Sequence, residues 1–186
     1  LPVMTILSLP YVLRSREQTL NVLHSEIAKR LLKSTEVARI RGLGYYDAGS
    51  RSFYMVESPV ETPSDLAGLK IRVQKSQTSV KMIDALGGSA TPISWGELYT
   101  ALQQGVVDGV MTGIAFHDIM KTFEIIKYYN VSNPWFGWSP ITINEKFYQS
   151  LSPEDRYLVK AAALQSMVSH QGLLYWGRDL WIEKFQ

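Results

Sequence analysis

Cysteine is absent from the 186 residues, which excludes disulfides, thiolate nucleophiles and cysteine-based zinc sites and leaves both a cytosolic and a bacterial extracytoplasmic setting open. An excess of one charge is also lacking. Nineteen Lys and Arg stand against seventeen Asp and Glu, a formal net charge of +2, and their scatter gives no electrostatic case for nucleic acid or an anionic membrane. No run is long and apolar enough to span a bilayer. The opening LPVMTILSLPYVL is broken by Pro2 and Pro10 and has no basic lead-in, so it reads as folded core and not as a direct membrane insertion. Because the chain starts inside such a segment and without methionine, further residues are expected before Leu1.

The usual chemical signatures are missing as well. His24, His117 and His170 are isolated from one another and show no metal-ligand spacing. There is no G-x-S-x-G elbow, no G-x-x-x-x-G-K loop and no strand-to-helix G-x-G-x-x-G arrangement. Glu97 is taken up by a capping box, and Asp108 beside Gly109 suits a turn. No catalytic residue, metal ligand or cofactor is therefore assigned.

What is present is a chain with 46% hydrophobic residues, enough for one domain or two small ones. Leu20, Leu23, Ile27 and Leu31 recur at spacings of three and four, predicting one helix that starts behind Ser15. Strands are expected in EVARIRGLGYYD and, beyond Gly49, separately in SRSFYMV. A proline-rich connection, with Ser64-Asp65 capping a turn, leads to LKIRVQ, where Leu69, Ile71 and Val73 alternate with Lys70, Arg72 and Gln74. A helix from Gln77 stops at Gly87-Gly88, a short strand SATPI follows, and Ser94 with Glu97 opens the helix closed by Gly105. Then come the strand VVDGVMTG, a helix in IAFHDIMKTFE, a strand in IIKYYNVS, in NPWFGWSPITIN a turn into a separate strand, and one long helix from Pro153 with bends at Gly172 or Gly177. Alternating helices and short strands predict an α/β fold with mostly parallel sheets, which place ligands at strand ends.

The remaining residues suit holding a molecule more than transforming one. Arg72 and Arg51 sit on expected strands, Trp95 opens a helix, Thr112 follows a strand, and Trp135 and Trp138 flank a turn. A planar guanidinium receives a carboxylate through two parallel charge-assisted bonds, and aromatic walls enclose the rest of a small molecule.

The segments LPYVLRSREQTLNVLHSEIAKRLL, GYYDAGSRSFY, PSDLAGLKIRVQ, GGSATPISWGELYTALQQGVVDGV and LSPEDRYLVKAAA occur in an order that resembles the DctP-type substrate-binding proteins of TRAP (tripartite ATP-independent periplasmic) transporters. The resemblance is most specific over residues 87–109 and covers nearly the whole chain, although typical members are longer. It implies a two-lobed periplasmic-binding-protein-like α/β architecture with a long C-terminal helix and with part of the first lobe preceding Leu1. The lobes would be residues 1–49 with 138–175, and 50–137 with 176–186. It implies a periplasmic, non-enzymatic receptor that closes by hinge motion on a small organic acid and presents it to TRAP membrane permease subunits. Arg72 takes the place of the carboxylate-receiving arginine and Arg51 that of a second basic position. Trp95 stands at the aromatic or apolar wall. The chain departs from the family at DGVMTG, where many members read DGQENP; Thr112 would then offer a hydroxyl in place of an amide, and the lost acidic position weakens any case for metal. Trp95 with the Trp135–Trp138 turn favours a more apolar, aromatic acid. A same-fold carboxylate sensor or scavenging domain and an α/β enzyme stay open as alternatives.

Overall fold

The structure, a computed structural model, describes residues 2–184. Leu1 of the opening segment, and the last two residues of the expected 176–186 segment and of the long helix, lie outside the described residues. The chain forms two compact units: Leu1–Gly49 with Phe136–Asp179, and Ser50–Trp135 with Leu180–Gln186.

In the first unit the opening residues make a 3-10 turn, Pro2–Ser8, which buries Leu7, while Ile6, Leu9, Tyr11 and Val12 stay exposed. The expected single helix is two: α1 (Arg16–Leu23) and α2 (Glu26–Ser34). Ser25 is the reason. Its hydroxyl donates to Val22 O at 2.7 Å and accepts from Ala28 N at 3.5 Å, ending one helix and capping the next. Ser15 caps α1, accepting from Gln18 N at 3.1 Å.

After a 3-10 turn, Thr35–Ala38, which exposes Val37, β1 runs from Ile40 to Met55. The two strands expected on either side of Gly49 are therefore one. Gly49 takes φ 70, and its N–H is met by Asp47 Oδ1 at 2.8 Å, so the left-handed residue is satisfied locally and pairing continues past it. Asp47 is itself buried and held by Arg16 Nε at 2.9 Å.

The second unit contains β2 (Lys70–Val73), α3 (Gln77–Ala85), β3 (Ser89–Pro92), α4 (Leu98–Gln103), β4 (Gly109–Thr112) and α5 (Ile114–Ile119). Capping again sets the local structure. The 3-10 turn before β2, Pro63–Leu66, is capped by Thr62 and not by Ser64, the Thr62 N–H donating to Asp65 Oδ2 at 2.7 Å. Ser94 donates through both N–H and hydroxyl to the Glu97 carboxylate, as the sequence predicts, and opens a 3-10 turn leading into α4.

β5 (Tyr128–Asn144) likewise replaces two expected strands. It carries Pro134 and Pro140 and occupies an end of the sheet, whose order is β3-β2-β4-β1-β5. A proline lacks the N–H that an interior strand would need, so an edge is where a strand can run through two of them. The sheet is mixed: β2 is parallel to β3 and β4, but β4 is antiparallel to β1. α6 (Glu145–Ser150) and the 32-residue α7 (Pro153–Lys184) follow, with Gly172 and Gly177 inside α7 without ending it.

The period-two alternation of the strands separates two cores in the second unit. Phe53, Met55, Ile71, Val73 and Met111 pack with Leu66 and Ile83 on one side; Tyr54, Val110, Leu98, Leu102 and Val107 pack on the other. In the first unit Leu7, Leu23, Ala28, Leu31 and Tyr45 form the core, with Trp138 against it.

Two predictions follow from the packing of the second unit. Gly109 faces Met55 across the β1–β4 pair, and a Cβ there would lie 2.7 Å from Tyr54 O and 2.4 Å from Met55 Sδ; Gly109→Ala should therefore lower stability by about 1–3 kcal/mol in urea unfolding. His117 is buried, bonded through Nδ1 to Thr122 Oγ1 at 2.6 Å, and stacked near Tyr54. Burial pushes its pKa from 6.5 to about 4. The unfolded chain then binds more protons between these values, so stability should fall as pH drops through that window, by up to about 3 kcal/mol. His117→Gln should flatten this pH dependence.

Candidate functional site

The site grows from the end of β2. Arg72 falls on the polar phase of the Leu69–Gln74 alternation, yet only 4% of it is exposed. Its backbone pairs with Val110 of β4 and Thr91 of β3, so the side chain stands over a central strand and not at a wet edge. Its Nε and Nη2 both donate to Ile93 O, at 3.0 and 2.9 Å. That fork fixes the guanidinium on one edge. Its carbon lies 5.1 Å from the centre of the Trp95 ring, and Trp95 in turn meets Phe116 edge-on at 5.3 Å.

Thr112, two residues beyond Val110 and paired with Ser52 of β1, is buried at the end of β4. Arg51 precedes that last β1–β4 pair by one residue. Its Nη2 donates to Gln74 Oε1 at 3.2 Å, and its guanidinium carbon sits 4.0 Å from the centre of the Trp135 ring.

These side chains border a pocket of about 490 Å³ lined by Arg51, Arg72, Gln74, Lys75, Ile93, Ser94, Trp95, Thr112 and Phe116. The volume is that of a small-molecule site. The pocket lies past the carboxyl ends of the parallel strands β2 and β4, where open α/β sheets receive ligands. No acidic side chain lines it. Among the described residues no carboxylate pairs with Arg51 or Arg72. Burial, and then the charge of Arg72, push the Arg51 pKa down to about 10, and burial lowers that of Arg72. Both shifts mark cations that lack a counter-charge.

Another cavity, of about 420 Å³ in the first unit, holds its Arg41 differently. Arg41 is gripped by Glu145 through two bonds of 2.6 and 2.7 Å and by Glu36 at 3.3 Å, and this pairing holds Glu145 down to about 2. The charge of Arg41 is thus already met, while Arg156 and Lys160 also line that cavity.

Four of the six residues singled out from the sequence thus line one pocket: Arg72, Arg51, Trp95 and Thr112. Trp135 lies against Arg51 instead of lining the pocket. Trp138 belongs to the first unit, donating its indole N–H to Leu7 O at 3.0 Å and meeting Tyr45 edge-on at 5.6 Å. Only one of the three tryptophans invoked for an aromatic acid therefore lines the pocket. Sequence reasoning missed Gln74, Lys75, Ile93, Ser94 and Phe116. The signal for Gln74 was its position two residues past Arg72, on the same strand phase; Ser94 was visible only as a cap. Among the described residues no cluster of metal-ligating side chains occurs and no helix is long and apolar enough to cross a membrane.

An α/β sheet with a cation-lined pocket past its strand ends is an arrangement that receives small molecules. The chain belongs to the bacterial extracellular solute-binding protein family 7, DctP, which it matches over residues 1–186. It is 32% identical over 162 residues to a solute-binding protein of Chromohalobacter salexigens, covering 87% of this chain and 48% of that protein. Among solved structures it is similar to a TRAP periplasmic solute-binding protein of a Sulfitobacter species with bound β-D-galacturonate, with TM-score 0.96, 33% identity and coverage of 99% of this chain and 61% of that one. Another, from Anaerococcus prevotii with bound D-glucuronate, gives TM-score 0.95, 36% identity and coverage of 99% and 60%. The chain spans about half the length of the curated relative and about three fifths of the two solved structures.

Proposed function

We propose that the protein is the periplasmic substrate-binding subunit of a TRAP transporter and holds a small organic acid by its carboxylate between Arg72 and Arg51, without transforming it. The observation that carries this reading is the pair of arginines in one pocket with no acidic partner among the described residues. A carboxylate supplies the missing charge, and a guanidinium offers it a bidentate fork.

The rest of the lining favours a sugar acid of the uronate kind over an aromatic acid. Gln74, Lys75, Ser94 and Thr112 are polar neighbours for hydroxyl groups, and the Trp95–Phe116 pair is a wall for the apolar face of a ring. The two related structures contain galacturonate and glucuronate.

Hydrogen bonds to a charged group contribute roughly 1.5–3 kcal/mol each, whereas micromolar affinity needs about −8 kcal/mol. The arginines alone fall short. The proposed cycle therefore includes closure of two lobes, residues 1–49 with 138–175 and 50–137 with 176–186, with the acid favouring the closed state through contacts available only there. The closed form is then recognised by the membrane permease subunits.

A thermal-shift and calorimetric screen with D-galacturonate, D-glucuronate, succinate and benzoate tests this reading, since binding to the native state raises apparent stability. The uronates should stabilise the protein. Arg72→Ala should abolish that effect while leaving the unliganded protein folded, and Arg72→Lys should weaken binding by at least about tenfold, because an ammonium cannot reproduce the fork. Unchanged uronate affinity in Arg72→Ala would remove Arg72 from the site.

A further inference from the structure

We propose that Gln74 and Trp135 are positioning residues that hold the Arg51 guanidinium in place without neutralising it, and that the side chain at position 74 decides whether the pocket accepts an anion. The inference rests on the reading of the pocket as a carboxylate site and concerns how the site is kept ready.

Two arginines of the first unit supply the contrast. Arg16 is fixed by the carboxylate of Asp47, and Arg41 by those of Glu145 and Glu36. Each is held and discharged by the same partner. Arg51 is held by an amide oxygen on one side and an aromatic face on the other. Both attract a cation, through a dipole and a ring quadrupole, and neither carries charge.

Trp135 shows what fixes this arrangement. Its indole Nε1 is buried and makes no hydrogen bond to a described residue, a state that is unfavourable by itself. The ring is therefore not placed by its own polar atom; its close contact is the Arg51 cation stacked at 4.0 Å.

Gln74 differs from glutamate only in its amide nitrogen, beside the oxygen that faces Arg51. A carboxylate there would sit within ion-pair distance, since the amide oxygen is 3.2 Å from Nη2. It would give Arg51 the counter-charge that it lacks and relieve the repulsion that Arg72 exerts on it. The same change would occupy the charge that an incoming acid must find. Gain of stability and loss of binding are thus opposite faces of one substitution.

The experiment compares the wild-type chain with Gln74→Glu, Gln74→Leu, Trp135→Phe and Trp135→Leu, measuring the thermal midpoint without ligand across pH and the dissociation constant for D-galacturonate. Gln74→Glu should raise the unliganded midpoint at neutral pH by about 2–4 °C, and the gain should shrink progressively as the pH falls below about 4.3, the unfolded glutamate value, because pairing with Arg51 lowers the folded one. Its affinity for galacturonate should fall by at least about tenfold. Gln74→Leu, with neither dipole nor charge, should show no such gain in midpoint. Trp135→Phe should keep affinity within about threefold, and Trp135→Leu should lose about tenfold. If Gln74→Glu fails to raise the midpoint, or raises it while binding galacturonate as well as the wild type, the proposal is overturned. If the midpoint rises with the expected pH dependence but the wild-type chain responds to no acid, the brace stands and the carboxylate reading fails.

Discussion

A buried positive charge with no fixed negative partner is the constraint around which the second unit is organised. Arg72 is nearly as inaccessible as the leucines and valines around it, and desolvating a guanidinium is expensive unless its donors are met. The sheet meets part of that demand. The β2 register places Arg72 beside Val110 and Thr91, and the chain leaving β3 brings Ile93 O to two of its donors. The capping box at Ser94 then turns the chain immediately after that carbonyl and sets Trp95 beside the cation. Neutral oxygens and rings do the holding, and among the described residues no carboxylate takes up the charge.

The same principle separates the two units. In the first, each fixed arginine of β1 or α1 meets a carboxylate from another element: Arg16 of α1 ties to Asp47 of β1, and Arg41 of β1 to Glu145 of α6. These pairs join elements together. In the second unit Arg51 and Arg72 lie on adjacent parts of one sheet end and repel each other, an arrangement that would be poor as a structural device. The proposed carboxylate would relieve that repulsion.

Much of the fold was legible because it is written in local chemistry. Caps at Ser15 and Ser94, and the glycine stop after α3, act within one helical turn and are visible as residue spacing. What escaped is what depends on partners far away in sequence. Gly49 looks like a terminator, but Asp47 satisfies its N–H and β1 passes through. Pro134 stands in what reads as a turn, but strand order places β5 at an edge, where the strand runs through it. Ser25 hid inside a regular hydrophobic pattern because periodicity does not register a hydroxyl that bonds backward. For the site, the arginines stood out because charge on an apolar strand is conspicuous, whereas Gln74 and Ser94 are ordinary polar residues until the sheet brings them to the same opening. The tryptophans were the least readable, since an indole packs equally well on Tyr45, on an arginine or beside a cavity.

The two prolines of β5 also bear on how the protein keeps itself apart from others. An end strand displays unpaired N–H and C=O groups, and a long, flat one invites a foreign strand to add to it and begin aggregation. β5 is 17 residues long, well beyond an ordinary strand, and so would be an inviting template. Pro134 and Pro140 remove two donors from that row. The other end strand, β3, is only four residues long and finishes on Pro92. Both end strands of the sheet formed by the described residues are thus poor substrates for strand addition.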